Sequence, residues 1–535
     1  MFVKIRTNKG SKRRSVLICH NIRVDVKIRQ LTVKTLGHSE NNSLLNQWIV
    51  EAKQWIKENG SQWKSETLPI KKRQASMNKS ASLFNIKEEK RINVGVEDVF
   101  GKLYNELGFQ DLLSPSHQKT LRQIIFARIL EPGSKRRLSE ISEKKLDEEL
   151  PLDRIYRMMD SLIKDSDLVQ KKVFEATETA LEKKVSLVLF DVTTLSFESI
   201  SEDGLRAFGF SKDFKFNTTQ VTLALATTQE GLPIGYRLFP GNTAESKTLI
   251  AAINGWKKHI SIDEVTIIGD RAMMSDANLS ALELAGYRYV IAFPLRKLSK
   301  EKQKLILDKT GYTENKADDE INCYRIIDLE DRRLFISYSS KRAAKDAKDR
   351  ERLVNKLKNK LESCKNVKRL INKNGYLKYS EITGQATAII NEEKIIEDAK
   401  WDGLHAVITN QPLCDVNIYN SYRRLWVIEE SFRINKHNLK MRPIYHFTPQ
   451  RIQAHILICY MVFTLIRHLQ FRLQRVEQSM SVNRIIDAVR DIQASILVDG
   501  TNQNKYRMLS PLTTDGKIIY KALSIEQGLT LMRVT

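Results

Sequence analysis

The feature that most constrains the fold is a change of hydrophobic period near Val185. Upstream, apolar residues recur at helical spacing, whereas "VSLVLFDVTT" is a continuous apolar run typical of a strand buried on both faces. Two strand-like runs follow, "TTQVTLALATT" and "LPIGYRLFPGN", and helix and strand then alternate as far as "YRYVIAF". This β-β-β-α-β-α-β order predicts a mixed α/β sheet in which antiparallel strands precede parallel ones.

The composition along the chain predicts several regions around this sheet. They are a basic N-terminal region of short strands and helix (1–95), a helical domain (96–183), the first part of a core (184–297), an insertion (298–410), the second part of the core (411–475) and a C-terminal helical region (476–535). Lys72–Ser82 reads as a polar linker. The first two regions are candidates for DNA binding, although an ordinary helical bundle would explain 96–183 equally well.

Positive charge is the strongest signal in the composition. The formal net charge is +24 and the pI is about 9.6, which favours a polyanionic partner such as nucleic acid. Residues 1–40 hold ten Lys/Arg against two Asp/Glu, and residues 341–373 hold thirteen against four. In the second segment Leu353, Leu357 and Leu361 predict a helix that packs one face and exposes cations on the other. A merely solvated charged face is the alternative.

Other classes of protein are disfavoured. The N-terminus lacks the apolar core of a signal peptide. The longest apolar run, Ile456–Ile466, is shorter than the ~20 residues of a membrane span and predicts a buried core helix. The five cysteines are scattered without zinc-site spacing. We therefore expect a cytoplasmic protein with no membrane partner.

Two aspartates are candidates for chemistry. Asp191 and Asp270 each end an apolar strand, and the strand order makes these strands neighbours. Aspartates in such places often serve only as caps. Two adjacent carboxylates repel each other unless a cation lies between them, and Mg²⁺ is the natural choice for oxygen ligands.

A third carboxylate lies in "YRRLWVIEESFRINK", which predicts one helix. Tyr422, Glu429 and Lys436 are seven residues apart and would form one stripe, because seven residues come within about 20° of two turns. Arg433, four after Glu429, would reach the same face. A salt-bridged surface helix is the alternative.

The other residues of this helix would set its orientation. Trp426, Ile428 and Phe432 are expected on its buried side. Glu430 is about 100° from Glu429 and is expected to be the solvated partner of a nearby cation.

Taken together, these pieces resemble the DDE transposases of bacterial insertion sequences, the cut-and-paste group with a Tyr-Arg-Glu-Lys signature. Tyr422, Glu429 and Lys436 match that signature, but Leu425 occupies the arginine position. "FDVTTLSFES", "GNTAESKTL" and "GDRAMMS" also look like the family. The resemblance covers roughly residues 100–475.

The resemblance implies an α/β fold with a ribonuclease-H-like catalytic core, interrupted by a β-rich and helical insertion and preceded by a mainly helical N-terminal region. It implies that Asp191, Asp270 and Glu429 bind two Mg²⁺ ions, for which Mn²⁺ can substitute. It further implies cleavage at the ends of an insertion sequence and strand transfer into target DNA.

The same resemblance implies partners and DNA-binding residues. Tyr422, Arg424, Arg433 and Lys436 would bind DNA. Helical geometry, not the resemblance, predicts that Arg433 replaces the missing signature arginine, because it lies about 40° from Glu429. The partners would be double-stranded DNA, as terminal inverted repeats and target, and a second copy of the chain in a homodimer, in the bacterial cytoplasm at the nucleoid. A hydrolytic nuclease of the same fold and a DNA-binding protein without catalysis are the alternatives.

Overall fold

The computed structural model describes residues 1–7, 12–24, 27–60, 85–210, 217–261, 265–315, 321–363, 378–383, 387–412, 416–528 and 530–534. The predicted linker Lys72–Ser82 and the last ten residues of the predicted basic helix, 364–373, lie outside these ranges. The chain divides into two compact units, Met1–Phe84 and Asn85–Thr535.

The first unit is a small sheet with one helix. Its elements are β1 (Phe2–Thr7), β2 (Arg14–Val24), β3 (Lys27–Ser39) and α1 (Asn42–Asn59). The strands are antiparallel in the order β1-β2-β3. Val16 and Ile18 of β2 pack against Leu45 and Ala52 of α1. The short strands and the helix predicted for this part of the chain are therefore present.

The second unit contains both helices and strands. Its helices are α2 (Lys102–Glu106), α3 (Pro115–Leu130), α4 (Lys135–Ile141), α5 (Leu152–Leu162), α6 (Ser166–Leu181), α7 (Glu245–Trp256), α8 (Asp276–Leu284), α9 (Lys300–Leu307), α10 (Ser340–Ser363), α11 (Glu392–Ala399), α12 (Val416–Arg423), α13 (Trp426–Arg433), α14 (Pro449–Arg475), α15 (Val482–Asp491) and α16 (Thr514–Ala522). Its strands are β4 (Ile86–Asn93), β5 (Leu187–Ser196), β6 (Gln220–Thr227), β7 (Pro233–Pro240), β8 (Thr266–Gly269), β9 (Arg288–Ala292), β10 (Thr313–Glu314), β11 (Cys323–Leu329), β12 (Arg332–Tyr338), β13 (Ser380–Thr383), β14 (Thr387–Ile390), β15 (Leu404–Thr409), β16 (Gln493–Asp499), β17 (Lys505–Leu509) and β18 (Leu531–Val534).

A mixed sheet forms the centre of this unit, in the order β10-β11-β12-β15-β9-β8-β5-β6-β7. Strands β5, β6 and β7 are antiparallel, and β5, β8 and β9 are parallel. The predicted order β-β-β-α-β-α-β is confirmed. Ser275 caps α8 by accepting a hydrogen bond from the amide of Asn278, and Gly286 follows the helix at φ +77°.

Strands from the predicted insertion extend this same sheet. β15 pairs with β9, β12 with β15 and β11 with β12, all antiparallel. β15 therefore covers the edge of the sheet that β9 would otherwise expose. Its apolar residues Val407 and Ile408 are buried. The predicted basic helix is present as α10, and Leu357 is buried on its packed side.

The apolar run Ile456–Ile466 lies in α14, as predicted for a buried core helix. Among the described residues, α14 alone is long and apolar enough to cross a membrane, but almost all of its apolar window is buried inside the protein. Its neighbours include α2, α3, α5 and α6 of the helical region before the sheet. The helix therefore joins that region to one face of the central sheet.

The C-terminal region differs from the sequence prediction. Residues 476–535, predicted to be helical, contain α15 and α16 but also β16, β17 and β18. These strands form a sheet with β4, in the order β18-β17-β16-β4. The pairing joins segments about 400 residues apart, and no local pattern predicts such a contact.

Candidate active site

Two aspartates follow the last paired residues of neighbouring parallel strands. Phe190 of β5 pairs with Gly269 of β8, and Asp191 and Asp270 are the residues that follow them in the chain. Adjacent strands lie about 4.8 Å apart, and residues at equivalent register point to the same face of a sheet. The structure thus sets the two aspartates side by side.

Asp191 is not at a strand end, contrary to the prediction. β5 continues to Ser196 because β6 pairs with it antiparallel, from Asp191 opposite Leu225 to Ser196 opposite Gln220. Only the parallel partner stops, at the residue before Asp270. The apolar run "VSLVLF" gave the position of the strand but not its length.

The backbone orients one oxygen of each aspartate. Oδ1 of Asp191 accepts a hydrogen bond from the amide of Val192, and Oδ1 of Asp270 accepts one from the amide of Arg271, both at 2.6 Å. Both side chains are half-buried, although the rest of β5 from Val188 onward is buried. Asp191 is therefore a charged, partly accessible residue between buried residues of β5.

Glu429 reaches the same region from α13, which packs against β5. Ile428 and Phe432 anchor the helix in the core, and Glu429 itself is exposed. The pKa of the Tyr422 hydroxyl is raised, first by burial and also by the negative charges of Asp270 and Glu429. The structure therefore brings Asp270 and Glu429 close to one tyrosine.

The segment from Tyr422 to Lys436 is not one regular helix, contrary to the prediction. The amide of Leu425 bonds to the carbonyl of Tyr422 and the amide of Ile428 to that of Leu425, which are tight three-residue turns between α12 and α13. At the other end Ile434–Asn438 is π-helical and wider. The seven-residue stripe assumes 100° per residue throughout, whereas Tyr422 lies on α12 and Glu429 on α13; the charge of Glu429 still acts on Tyr422.

Trp426 is exposed, contrary to the prediction that it lies on the buried side. Its side chain is 59% accessible, whereas Ile428 and Phe432 are buried as predicted. Trp426 is three residues before Glu429 and so shares its side of α13. Its apolar character alone suggested burial, but the helix buries the opposite face.

Glu430 forms ion pairs with two arginines. Arg433 donates to its Oε1 at 3.2 Å, and Arg467 of α14 lies 3.7 Å from its Oε2. Arg467 is buried, and its Nε also donates to the carbonyl of Gly231 at 2.8 Å. The predicted pairing of Glu430 with a cation is present, although Glu430 is half-buried rather than solvated.

The predicted DNA-binding cations occupy different settings. Arg433 is exposed, and a surface pair such as that with Glu430 is weak. Arg424 lies in the turn between α12 and α13 and donates to Oε1 of Gln229 at 3.0 Å. Lys436 lies half-buried in the π-helical turn. The sequence prediction that Arg433 replaces the signature arginine stays a prediction.

An aromatic group beside Tyr422 was not predicted. The rings of His405, on β15, and Tyr422 are 5.1 Å apart, and that of Tyr419 is 5.5 Å from His405. Burial, and then the charge of Arg342, lower the pKa of His405 to about 3, so the ring is neutral. Arg342 also opposes the rise in the pKa of Tyr422. These residues lie on three separate elements, and no spacing in the sequence relates them.

The donor set suits a hard divalent cation, because it consists of carboxylate oxygens with solvent access. Within the described ranges, however, no three His, Cys, Asp or Glu side chains are gathered closely enough to hold a metal ion as they stand.

In a comparison with models of protein families, the chain matches one family. Residues 182–465 match the family model described as a transposase DDE domain. No curated protein matches the sequence.

Solved structures of transposases resemble the chain only remotely. A piggyBac transposase synaptic complex with hairpin DNA has 7% identity and a TM-score of 0.37, over 74% of this chain and 76% of that one. A Mos1 transposase paired-end complex with a left transposon end has 14% identity and a TM-score of 0.15. This second match covers 29% of this chain and about half, 53%, of that one.

Proposed function

Because the chain belongs to the transposase DDE domain family, it is a DNA transposase, and we propose that Asp191, Asp270 and Glu429 are its catalytic carboxylates. The family activity is nuclease and transesterase chemistry on DNA. The observation that carries the assignment is the register of β5 and β8, which sets Asp191 beside Asp270. Glu429 is proposed as the third member because α13 packs on β5. The charges of both Asp270 and Glu429 also raise the pKa of Tyr422.

The catalytic core is proposed to be ribonuclease-H-like. The strand order β7-β6-β5-β8-β9 supports this, since an antiparallel three-stranded meander is continued by two parallel strands. The insertion then enters after β9 and returns through β15, ahead of the helix that carries Glu429.

The family uses divalent metal ions, and the proposed cofactor is a pair of Mg²⁺ ions, for which Mn²⁺ can substitute. Asp191, Asp270 and Glu429 would hold such ions, which would supply activation of an attacking oxygen and stabilisation of the leaving oxygen. The chain supplies oxygen donors from two rigid strands, Asp191 and Asp270, and from one exposed helical position, Glu429. The backbone amides after the two aspartates hold their carboxylates in place.

DNA is proposed to be held at the site by Tyr422, Arg424, Arg433 and Lys436. The raised pKa of Tyr422 keeps its hydroxyl protonated at neutral pH, so that it can donate a hydrogen bond to a phosphate. The arginines and the lysine provide charge-assisted bonds, which are about twice as strong as neutral ones. The net charge of +24 supports a polyanionic substrate.

The substrates are proposed to be the terminal inverted repeats of an insertion sequence and a target duplex. Since an element has two ends to be cut, the active form is proposed to be a homodimer. The proposed place of action is the bacterial nucleoid in the cytoplasm.

A hydrolytic nuclease and a DNA-binding protein without catalysis are the alternatives. A joining assay separates all three: incubate the protein with Mg²⁺, linear DNA that carries the element's own ends and a target plasmid, and sequence the products. A transposase yields junctions between 3′ ends of the element and the plasmid. A nuclease yields cut ends only, and a non-catalytic protein shifts the DNA in a gel without cutting it.

A further inference from the structure

The basic helix α10 begins beside the active site. It follows β12, whose last residues pair with the start of β15. The amide of Ser339 donates to the carbonyl of Gly403 at 3.0 Å, and the amide of Gly403 donates to Oδ2 of Asp346 at 3.0 Å. Gly403 has φ +78°, and a Cβ there would lie 2.8 Å from that of Ala343. The first turns of α10 are thus fixed closely against β15.

Arg342 belongs to this first turn and lies near the residues that face the carboxylates. The charge of Arg342 lowers the pKa of His405 and opposes the rise in the pKa of Tyr422. The rings of His405 and Tyr422 are 5.1 Å apart, and the charge of Asp270 raises the pKa of Tyr422. The Arg342 side chain is 45% exposed, and its ion pair with Asp346 spans 3.9 Å. Such a surface pair is weak and leaves the guanidinium available to a stronger acceptor.

Five other cations of α10 point to an extended anion. They share one side of the helix, away from the buried Leu357, and are exposed: Lys341, Lys345, Lys348, Arg352 and Lys356. At 100° per residue they fall within an arc of about 80°. They span about 22 Å along the axis, which is the length of roughly six base pairs. The stripe begins at the end of the helix where Arg342 lies.

We propose that Arg342 is a further phosphate-binding residue of the active site, holding the reacting DNA strand together with Tyr422 while the duplex continues along the basic stripe of α10. The proposal rests on the proposed function of this site. A guanidinium can bind a phosphate through two parallel hydrogen bonds. Leu425, at the signature position, is buried and cannot do so. Arg342 therefore brings a guanidinium to the site from a different element.

The first test measures whether DNA protects Arg342 from chemical modification, and it does not depend on catalysis. The protein is treated with phenylglyoxal, which modifies arginine, with and without DNA from the element's ends, and modification is measured by mass spectrometry. Arg484 is the matched control, since it is 52% exposed and paired with Asp515 at 2.6 Å. We expect DNA to slow modification of Arg342 at least fivefold and to leave Arg484 unchanged. Equal modification of Arg342 with and without DNA would overturn the proposal.

The second test places Arg342 at the reacting strand. At saturating DNA, Arg342→Ala should cut the element's ends at least tenfold more slowly than the wild type, Arg342→Lys should lie between them, and Arg484→Ala should match the wild type. Protection of Arg342 together with an unchanged cleavage rate in Arg342→Ala would overturn its place in the active site. A wild-type protein that cuts no DNA would instead contradict the proposed function, and the protection result would still decide whether Arg342 contacts DNA.

Discussion

Phe190 and Gly269 form the last paired position between the parallel strands β5 and β8, and an aspartate directly follows each of them. The site is therefore a product of strand register. A slip of one residue would move one carboxylate to the opposite face of the sheet. Because both strands lie in the interior of a nine-stranded sheet, the separation of Asp191 and Asp270 is fixed by backbone pairing.

DNA affinity should depend steeply on salt. Phosphate contacts release counterions, so the log–log slope should be about −0.9 for each phosphate neutralised. Replacing Lys345, Lys348 and Arg352 together by Gln should make the slope shallower by up to about 2.7, whereas Arg484→Gln should leave it unchanged. Binding to duplex DNA measured by fluorescence anisotropy between low and physiological salt checks this. A nearly flat wild-type slope would show that the charge serves another purpose.

Arg433 should matter more for cleavage than Arg424. Arg433→Ala should slow cleavage tenfold or more, the loss of one charge-assisted bond of about 1.4 kcal/mol or more. Arg424→Ala should have a smaller effect, because that side chain is engaged with Gln229. Single-turnover rates at saturating DNA give the ranking. The reverse order would refute the assignment of Arg433.

Arg467 should be important for stability. Its guanidinium donates to two carbonyls of the β6–β7 turn, including that of Gly231, and lies beside Glu430. Arg467→Ala leaves these groups unpaired and should lower the free energy of unfolding by about 3 kcal/mol. Arg472→Ala, on the same helix, removes only a partly exposed pair with Glu106 and should cost about 1 kcal/mol or less. Urea denaturation that finds equal losses would contradict this account.

Stability should fall on acidification below pH 6.5. Burial, with nearby cations, lowers the pKa of both His446 and His468 to about 3. Between these values and 6.5 the unfolded chain binds more protons than the native one, so protonation favours unfolding. Each histidine should remove about 1.4 kcal/mol per pH unit in this window. Urea denaturation at pH 7.5 and pH 5 tests the sign, and His468→Phe should show a weaker dependence than the wild type.

The sequence predicted the central fold well because its signals are local. The strands β5 to β9 are marked by apolar runs, and their order follows from short connections and intervening helices. Ser275 and Gly286 end their helix by local chemistry. The C-terminal strands were not predicted, since β16 pairs with β4 across the length of the chain.

The site was predicted only in part, for the same physical reason. Glu429 and Tyr422 were selected by spacing on an assumed regular helix, which the tight turn at Leu425 interrupts. The proximity of Arg342 and His405 to Tyr422 depends on how the insertion strands join the sheet. Such contacts arise from tertiary packing, which the helical periodicity of the sequence does not predict.

The most direct test of the account is the rate at which Asp191→Ala, Asp270→Ala and Glu429→Ala cut DNA carrying the element's ends in Mg²⁺. The control is Asp276→Ala, an acid with an 89% exposed side chain at the start of α8. The account predicts that each of the three variants loses cleavage while its affinity for the ends stays within a few-fold, and that the control cuts like the wild type. Wild-type cleavage by any one of the three variants would contradict it.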